Sequence, residues 1–319
     1  MAAGGRALPR GIPAILVGLD TTPLRQTRAG TARYLRGLLT HLDVPVKEVS
    51  FPATSRLRTL AADALWYPRL KVAGVDVLHC PTFRGPFRSR TPLVVTVHDL
   101  AVLRHPEWFN SWTQRYSSLA VPRVVAAADR LIAVSEFTRA ELRDLLAVPD
   151  AKIRVVPNAV EDVFTPEGPR ADGDYVLAVG TLEPRKNLGR IAAAVQGELR
   201  VVGGRGWGNV EPPANVTWLG EVSDEELARL YRGARCLVYA SLYEGFGIPV
   251  AEALACGCPV VTSREGPMAE FAGEAAYVDP TDVESIRDGI ARATAQPPRR
   301  VASWADVARA TRAVYEEVA

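Results

Sequence analysis

Short, nearly uninterrupted runs of apolar, mostly β-branched residues recur along the chain, with helix-like segments between them. They are "AILVGLD" (14–20), "VDVLHC" (75–80), "PLVVTVHDL" (92–100), "DRLIAVS" (129–135) and "KIRVVPN" (152–158). A strand that is apolar on both faces needs cover on both faces, which is the situation of a parallel sheet between helix layers. "GTARYLRGLLTHL" (30–42) carries Tyr34, Leu35, Leu38 and Leu39 at helical spacing, and Ser135 stands where it can cap a helix over 136–147.

At "FTPEGPRADGD" (164–174) prolines, glycines and charges gather in a linker-like stretch. The alternation then restarts with "YVLAVG" (175–180), a helix from Asn187, "LRVVGG" (199–204) and "VTWLG" (216–220). A helix over 224–234 follows, with Ser223 as its cap and Glu226 expected to close a capping box. "CLVYAS" (236–241), a helix from Pro249 and "PVVTS" (259–263) complete the series. Two βα series joined by one linker predict two doubly wound α/β domains, over 1–168 and 169–301, facing each other. An amphipathic helix ends the chain.

Composition narrows the function. The 319 residues carry 38 basic and 36 acidic side chains, a net charge of +2, which gives no field suited to nucleic acid. Cys80, Cys236, Cys256 and Cys258 are too few for a disulfide framework and read as buried thiols of a reducing compartment. "CGC" has no companion cluster to complete a metal site. The "DGD" of 172–174 precedes a strand and reads as a solvated turn, so no metal and no cofactor are expected. The apolar start is broken by Pro13 and is expected to be a buried strand rather than a leader. No stretch approaches the roughly 18 apolar residues of a membrane span.

Ligands of open parallel sheets bind where strands run into helices. Two such junctions are chemically loaded. In "VGTLEPRKNLGRI" (179–191) an exposed loop is expected to carry Glu183, Arg185 and Lys186, with Asn187 capping the next helix. Adjacent Arg and Lys suit a pair of phosphates, although a solvated charge pair would read the same way. In "YEGFGIPVAEALACGCPVVTS" (243–263), Glu244 and Glu252 flank "GFGIP". Amides around Phe246, Gly247 and Ile248 at a helix start suit an anion. Two acids beside an anion site imply a ligand with both phosphates and hydroxyls, such as a nucleotide sugar.

The stretch from Glu244 to Glu252 resembles the E-x7-E motif of retaining glycosyltransferases of family four, which have the GT-B fold. "VLHCPTFRGPF", "VVTVHDL", "IAVSEFTRAEL", "VVPNAV", "VGTLEPRKNL", "VVGGRGWG" and "WLGEVSDEELARLYRGA" resemble that family in its own order and span most of the chain. The resemblance implies a metal-independent enzyme moving a hexose from a nucleoside diphosphate sugar to a hydroxyl acceptor. Arg185 and Lys186 would bind the diphosphate and offset leaving-group charge. Glu252 would hold the ribose, while Glu244 and the amides of Phe246 and Gly247 would address the sugar. His98 would meet the sugar from the first domain, where it would otherwise be a capped core histidine.

Gly203 and Gly204 would allow close approach of the nucleotide, whose base would lie near Leu219 to Val222. The last helix, over 302–319, would cross back onto the first domain. The family's glycine-rich first loop reads "RAGTARY" (28–34) here, so Gly30 remains and Ala32 replaces a second glycine. "TLEPRKN" resembles the mannosyltransferase branch, which favours GDP-mannose. Alternatives are a nucleotide-sugar epimerase, a phosphorylase, or a non-catalytic nucleotide-sugar-binding subunit of a glycan assembly complex. A lipid-linked glycan, a polysaccharide end or a small molecule could each be the acceptor. "WYPRLK" (66–71) and "HPEWFNSWTQRY" (105–116) could line its groove, touch a membrane or simply pack. The expected setting is the cytoplasm, free or at the inner face of the membrane.

Overall fold

The computed structural model describes residues 15–26, 30–52, 56–204, 206 and 216–319. The leader-like start up to Ala14, the first part of "RAGTARY" and most of "RGWG" lie outside the described residues. The first domain runs β1 (Val17–Asp20), α1 (Pro23–Gln26), α2 (Gly30–His41), β2 (Val46–Val49), α3 (Arg56–Ala61), β3 (Val77–Cys80), β4 (Leu93–Val97), α4 (Ala101–Arg104), α5 (Ser111–Ala127), β5 (Arg130–Ala133), α6 (Glu136–Leu146) and β6 (Ile153–Val155). Its sheet has the order β2-β1-β3-β4-β5-β6, and every pairing is parallel.

The second domain runs β7 (Tyr175–Val179), α7 (Leu188–Ala194), β8 (Glu198–Val202), β9 (Thr217–Gly220), α8 (Asp224–Gly233), β10 (Cys236–Tyr239), α9 (Ile248–Ala255), β11 (Val260–Ser263), β12 (Ala276–Val278) and α10 (Val283–Arg292). Its strands are again all parallel, in the order β12-β11-β10-β7-β8-β9. Strands β3, β4, β10 and β11 are buried along their whole length, as unbroken apolar runs require. The edge strands β2 and β9 are half exposed.

Helix α11 (Trp304–Glu316) returns to the first domain. Trp304, Val307, Ala308, Val314 and Tyr315 share one core with Val17, Leu19, Tyr34, Leu35 and Leu38. Gly37 makes this possible, because a Cβ there would lie 2.2 Å from the Trp304 ring. The chain therefore passes between the sheets twice, after β6 and again after α10. The two passages are tied together by Arg300, whose Nη1 lies 2.5 Å from Asp162 Oδ1. Arg232 of α8 clamps the first passage by donating to the carbonyls of Val163, Thr165 and Pro169.

Ser135 caps α6 as the sequence indicates, accepting from the Thr138 amide at 3.0 Å. Two expected caps take another form. Ser223 accepts from the Glu226 amide, but the Glu226 carboxylate pairs with Arg229 instead of closing a box. Asn187 adopts a left-handed conformation and does not cap α7 with its side chain. Its amide group donates to the Ala240 and Pro280 carbonyls, stitching strand ends together.

Candidate active site

In the second sheet the chain runs from β7 outward to β9, then restarts at β10 on the other flank of β7. Between β7 and β10 the following loops diverge, leaving a crevice at their carboxyl ends. Both loaded loops emerge at this point. The loop after β7 makes a short turn over Pro184–Lys186, and its Arg185 carbonyl accepts from the Leu242 amide at 2.8 Å in the loop after β10.

Arg185 and Lys186 meet Glu244 here. Arg185 Nη1 is 2.8 Å from Glu244 Oε2, and Lys186 Nζ is 2.6 Å from Glu244 Oε1. Arg185 Nη2 lies 2.8 Å from Glu183 Oε1, while Lys186 Nζ also donates to the Tyr239 hydroxyl at 2.6 Å. Two cations thus face two anions. The expectation of an exposed charged loop is corrected: Lys186, Glu183 and Glu244 are buried, and Arg185 is only partly open. The aliphatic stem of Lys186 packs across the end of β7 at Gly180, which draws the ammonium inward. Burial raises the Glu244 pKa, but the Arg185 and Lys186 charges outweigh it and hold the carboxyl at about 2. Burial and the neighbouring Arg185 lower the Lys186 pKa against the pull of Glu244.

Helix α9 opens directly after this cluster. Its N-cap, Gly247, has φ 95° and supplies no side-chain acceptor to the first turn, whose next residues are Ile248 and Pro249. Glycine is demanded twice, by that left-handed backbone and by Met268 Cγ, which a Cβ would approach to 2.8 Å. Phe246 is buried against the Phe271 ring. One turn into α9, Glu252 is buried between the domains. Tyr231 donates to its Oε2 at 2.9 Å, and Arg33 of α2 approaches Oε1 at 2.5 Å.

The first domain meets this region at the end of β4. A Cβ on Gly245 would lie 1.6 Å from the His98 carbonyl oxygen, so the loop carrying Glu244 rests directly on His98. The Gly245 carbonyl accepts from the Ser135 hydroxyl at 2.6 Å and from the Thr138 hydroxyl at 3.1 Å. The His98 ring donates through Nε2 to the Pro81 carbonyl, 3.0 Å away, which leaves Nδ1 as the lone-pair nitrogen. Burial lowers its pKa to about 4 despite the opposing effects of Asp99 and Pro81, so the ring is neutral near pH 7. Tyr34 packs edge-on against it, with ring centres 5.0 Å apart.

His98, Arg185, Lys186, Glu244, Phe246 and Gly247 are therefore drawn to one seam, with Glu252 a helical turn away. Gly30 reaches the same seam, since a Cβ there would be 3.6 Å from Ile248 Cδ1. The remaining positions expected on the nucleotide side lie along the β8–β9 edge. Gly203 owes its glycine to strand packing, because a Cβ would lie 2.0 Å from the Gly180 carbonyl oxygen. Gly204 faces the end of the Glu221 side chain, Leu219 is exposed and Val222 is half-buried. Sequence reasoning did not single out Arg33, Tyr231 or Tyr239. Arg33 had a visible signal in "GTARY", but only a fold can show that α2 delivers it to the other domain. Among the described residues, no group of three or more His, Cys, Asp or Glu is placed to hold a metal, and no helix is long and apolar enough to cross a membrane.

Two parallel-sheet α/β domains meeting at the carboxyl ends of their strands define the GT-B class of glycosyltransferase. The fold resembles that of WaaG, a glycosyltransferase involved in lipopolysaccharide biosynthesis, with a TM-score of 0.65 over 95% of this chain and 99% of that one at 16% identity. The family model for Glycosyltransferase Family 4 matches residues 10–164, and that for Glycosyl transferases group 1 matches 160–310. O-antigen chain mannosyltransferase B of Escherichia coli is 33% identical over 264 residues, covering 73% of this chain and 68% of that protein. The serotype-specific mannosyltransferase WbdA of Escherichia coli is 31% identical over 57% of this chain, which spans only 27% of that longer protein. The chain belongs to the family-four group of GT-B glycosyltransferases.

Proposed function

We propose that this glycosyltransferase is a retaining mannosyltransferase that takes mannose from GDP-mannose and places it on a hydroxyl of a growing surface glycan. The observation that carries the reading is the seam where Glu244, Arg185 and Lys186 meet His98 across the two sheet ends. A diphosphate entering there would draw the two cations from their carboxylates and have its developing charge offset at the moment of bond cleavage. Glu244 would then be free to hold sugar hydroxyls. Glu252, beyond the anion-receiving start of α9, would hold the ribose.

The His98 ring, neutral and fixed through Nε2, would offer the sugar side an acceptor nitrogen rather than a further cation. Glu183 and Glu244 are each held by a cation rather than free as a nucleophile would be, which favours a front-face transfer. In that step the leaving phosphate oxygen takes the acceptor proton as the new glycosidic bond forms. The mannosyltransferase relatives support the sugar, and O-antigen chain mannosyltransferase B supports a surface polysaccharide as the setting. The buried cation pair supports a mechanism without a divalent ion, because two fixed positive charges could offset a leaving group's charge.

The test incubates purified protein with GDP-mannose, UDP-glucose and UDP-galactose, with and without excess chelator, and follows donor cleavage and the anomeric signal of the product. GDP-mannose should be cleaved fastest, chelator should not matter, and the product should keep the donor's configuration. Inverted product, or activity that vanishes with chelator and returns with magnesium or manganese, would overturn the mechanism. Preference for a uridine donor would overturn the donor.

A further inference from the structure

Arg33 is a cation of the first domain placed inside the second domain's half of the site. Its guanidinium reaches Glu252 Oε1 at 2.5 Å and Asp224 Oδ1 at 3.1 Å, and its face lies 5.6 Å from the centre of the buried Phe164 ring. Glu252 is 1% exposed, so the contact is shielded from solvent at one end. A carboxylate has about four lone-pair positions, two on each oxygen. Arg33 takes one on Oε1, and the Tyr231 hydroxyl takes one on Oε2. Among the described residues no other group bonds this carboxylate, so each oxygen keeps one acceptor position, the pattern that a vicinal diol such as the ribose 2′,3′-hydroxyls requires.

We propose that Arg33 is a positioning residue for the nucleotide half of the donor, fixing the Glu252 carboxylate from the opposite domain in the orientation that receives a vicinal diol. The carboxylate is then fully oriented only when α2 of the first domain lies against α9 of the second. This rests on the assignment of Glu252 to the ribose. Charge adds a second handle. The groups facing Glu252 are Arg33 from α2, Tyr231 and Asp224 from α8, and Cys256 at the end of α9. Burial and Asp224 push the Glu252 pKa up, and Arg33 opposes them. Without Arg33 the carboxyl would take up its proton at a higher pH. Since the ionised form accepts the diol, binding is present above that pKa and lost as pH falls through it.

The experiment measures GDP affinity by calorimetry between pH 5 and 8 for the full chain and for Glu252→Gln, Arg33→Met and Arg33→Lys. The 2′,3′-dideoxy form of GDP serves as the probe lacking the diol. Arg33→Met should weaken GDP binding by about tenfold at neutral pH, the scale of one charge-assisted contact. It should also move the fall in affinity to higher pH, yet leave dideoxy-GDP binding unchanged. Arg33→Lys should restore part of the affinity. If Arg33→Met does not fold, Arg33→Lys gives a smaller affinity loss confined to the diol-bearing nucleotide, because it keeps the charge but loses the two-pronged reach. Unchanged GDP affinity in Glu252→Gln would remove the ribose assignment itself. Weakened binding in Glu252→Gln with no effect of Arg33→Met would overturn only the role of Arg33. Tighter GDP binding in Arg33→Met would overturn it too, making Arg33 a competitor for the carboxylate.

Discussion

At the scale of single residues, the charges around Glu244 matter to folding as well as to chemistry. Lys186 is buried and Glu244 is the carboxylate that pairs with it, so removing Glu244 leaves a desolvated ammonium, a loss of about 3–5 kcal/mol. Glu244→Gln should therefore lower the denaturation midpoint as well as turnover. The pH dependence has a definite sign. With the Glu244 carboxyl held at about 2, below the ordinary 4.5, its contribution is full above 4.5 and is lost as pH falls toward 2. Denaturant titrations between pH 2 and 6 should show an acid-labile component that Glu244→Gln lacks. A mutant curve parallel to that of the parent would rule it out. The sequence made the residue types of this cluster legible, but not their burial. Nothing in "LEPRKN" tells that the Lys186 stem folds over Gly180, because that depends on where β10 brings Tyr239 and Glu244.

At the scale of elements, the apolar runs announced their strands because burial on both faces leaves little freedom of composition. Two of the four edge strands were less legible. Strand β2, "VKEV", has two exposed charged residues between half-buried valines, and β12 has three residues, "AYV". Both owe their existence to a neighbouring strand rather than to their own residues. Helix α6 shows a related effect at its start. Ser135 caps it from within the sequence, while Glu270 of the second domain accepts from the Glu136 and Phe137 amides at 3.0 and 2.7 Å. Only the first of these could be read from a local motif. Ser135→Ala should cost about 1 kcal/mol for the lost cap, and the Gly245 carbonyl would lose its shorter hydroxyl partner. Thermal denaturation of Ser135→Ala beside Glu270→Ala measures both. No shift in either would mean that the helix start is held by other contacts.

At the scale of the molecule, the meeting of the domains depends on Gly245. Alanine there would drive its Cβ into the His98 carbonyl, while neither sheet needs Gly245 for its own hydrogen bonds. Gly245→Ala should keep the circular dichroism of the parent and lose most transfer activity, with a larger radius of gyration in solution scattering. Unchanged scattering and activity would show that the loop can move aside. The motion open to such a variant follows from the paired passages between the sheets, joined by Arg300 and Asp162 and gripped by Arg232. A single strand of chain would act as a swivel and let the halves turn freely. Two adjacent strands would restrict twist and slide more than one, leaving a swing about one line as the freer motion, as in a door hinge. Each reopening of the cleft would then retrace one arc, returning His98 to Gly245 and Arg33 to Glu252 in a single stroke.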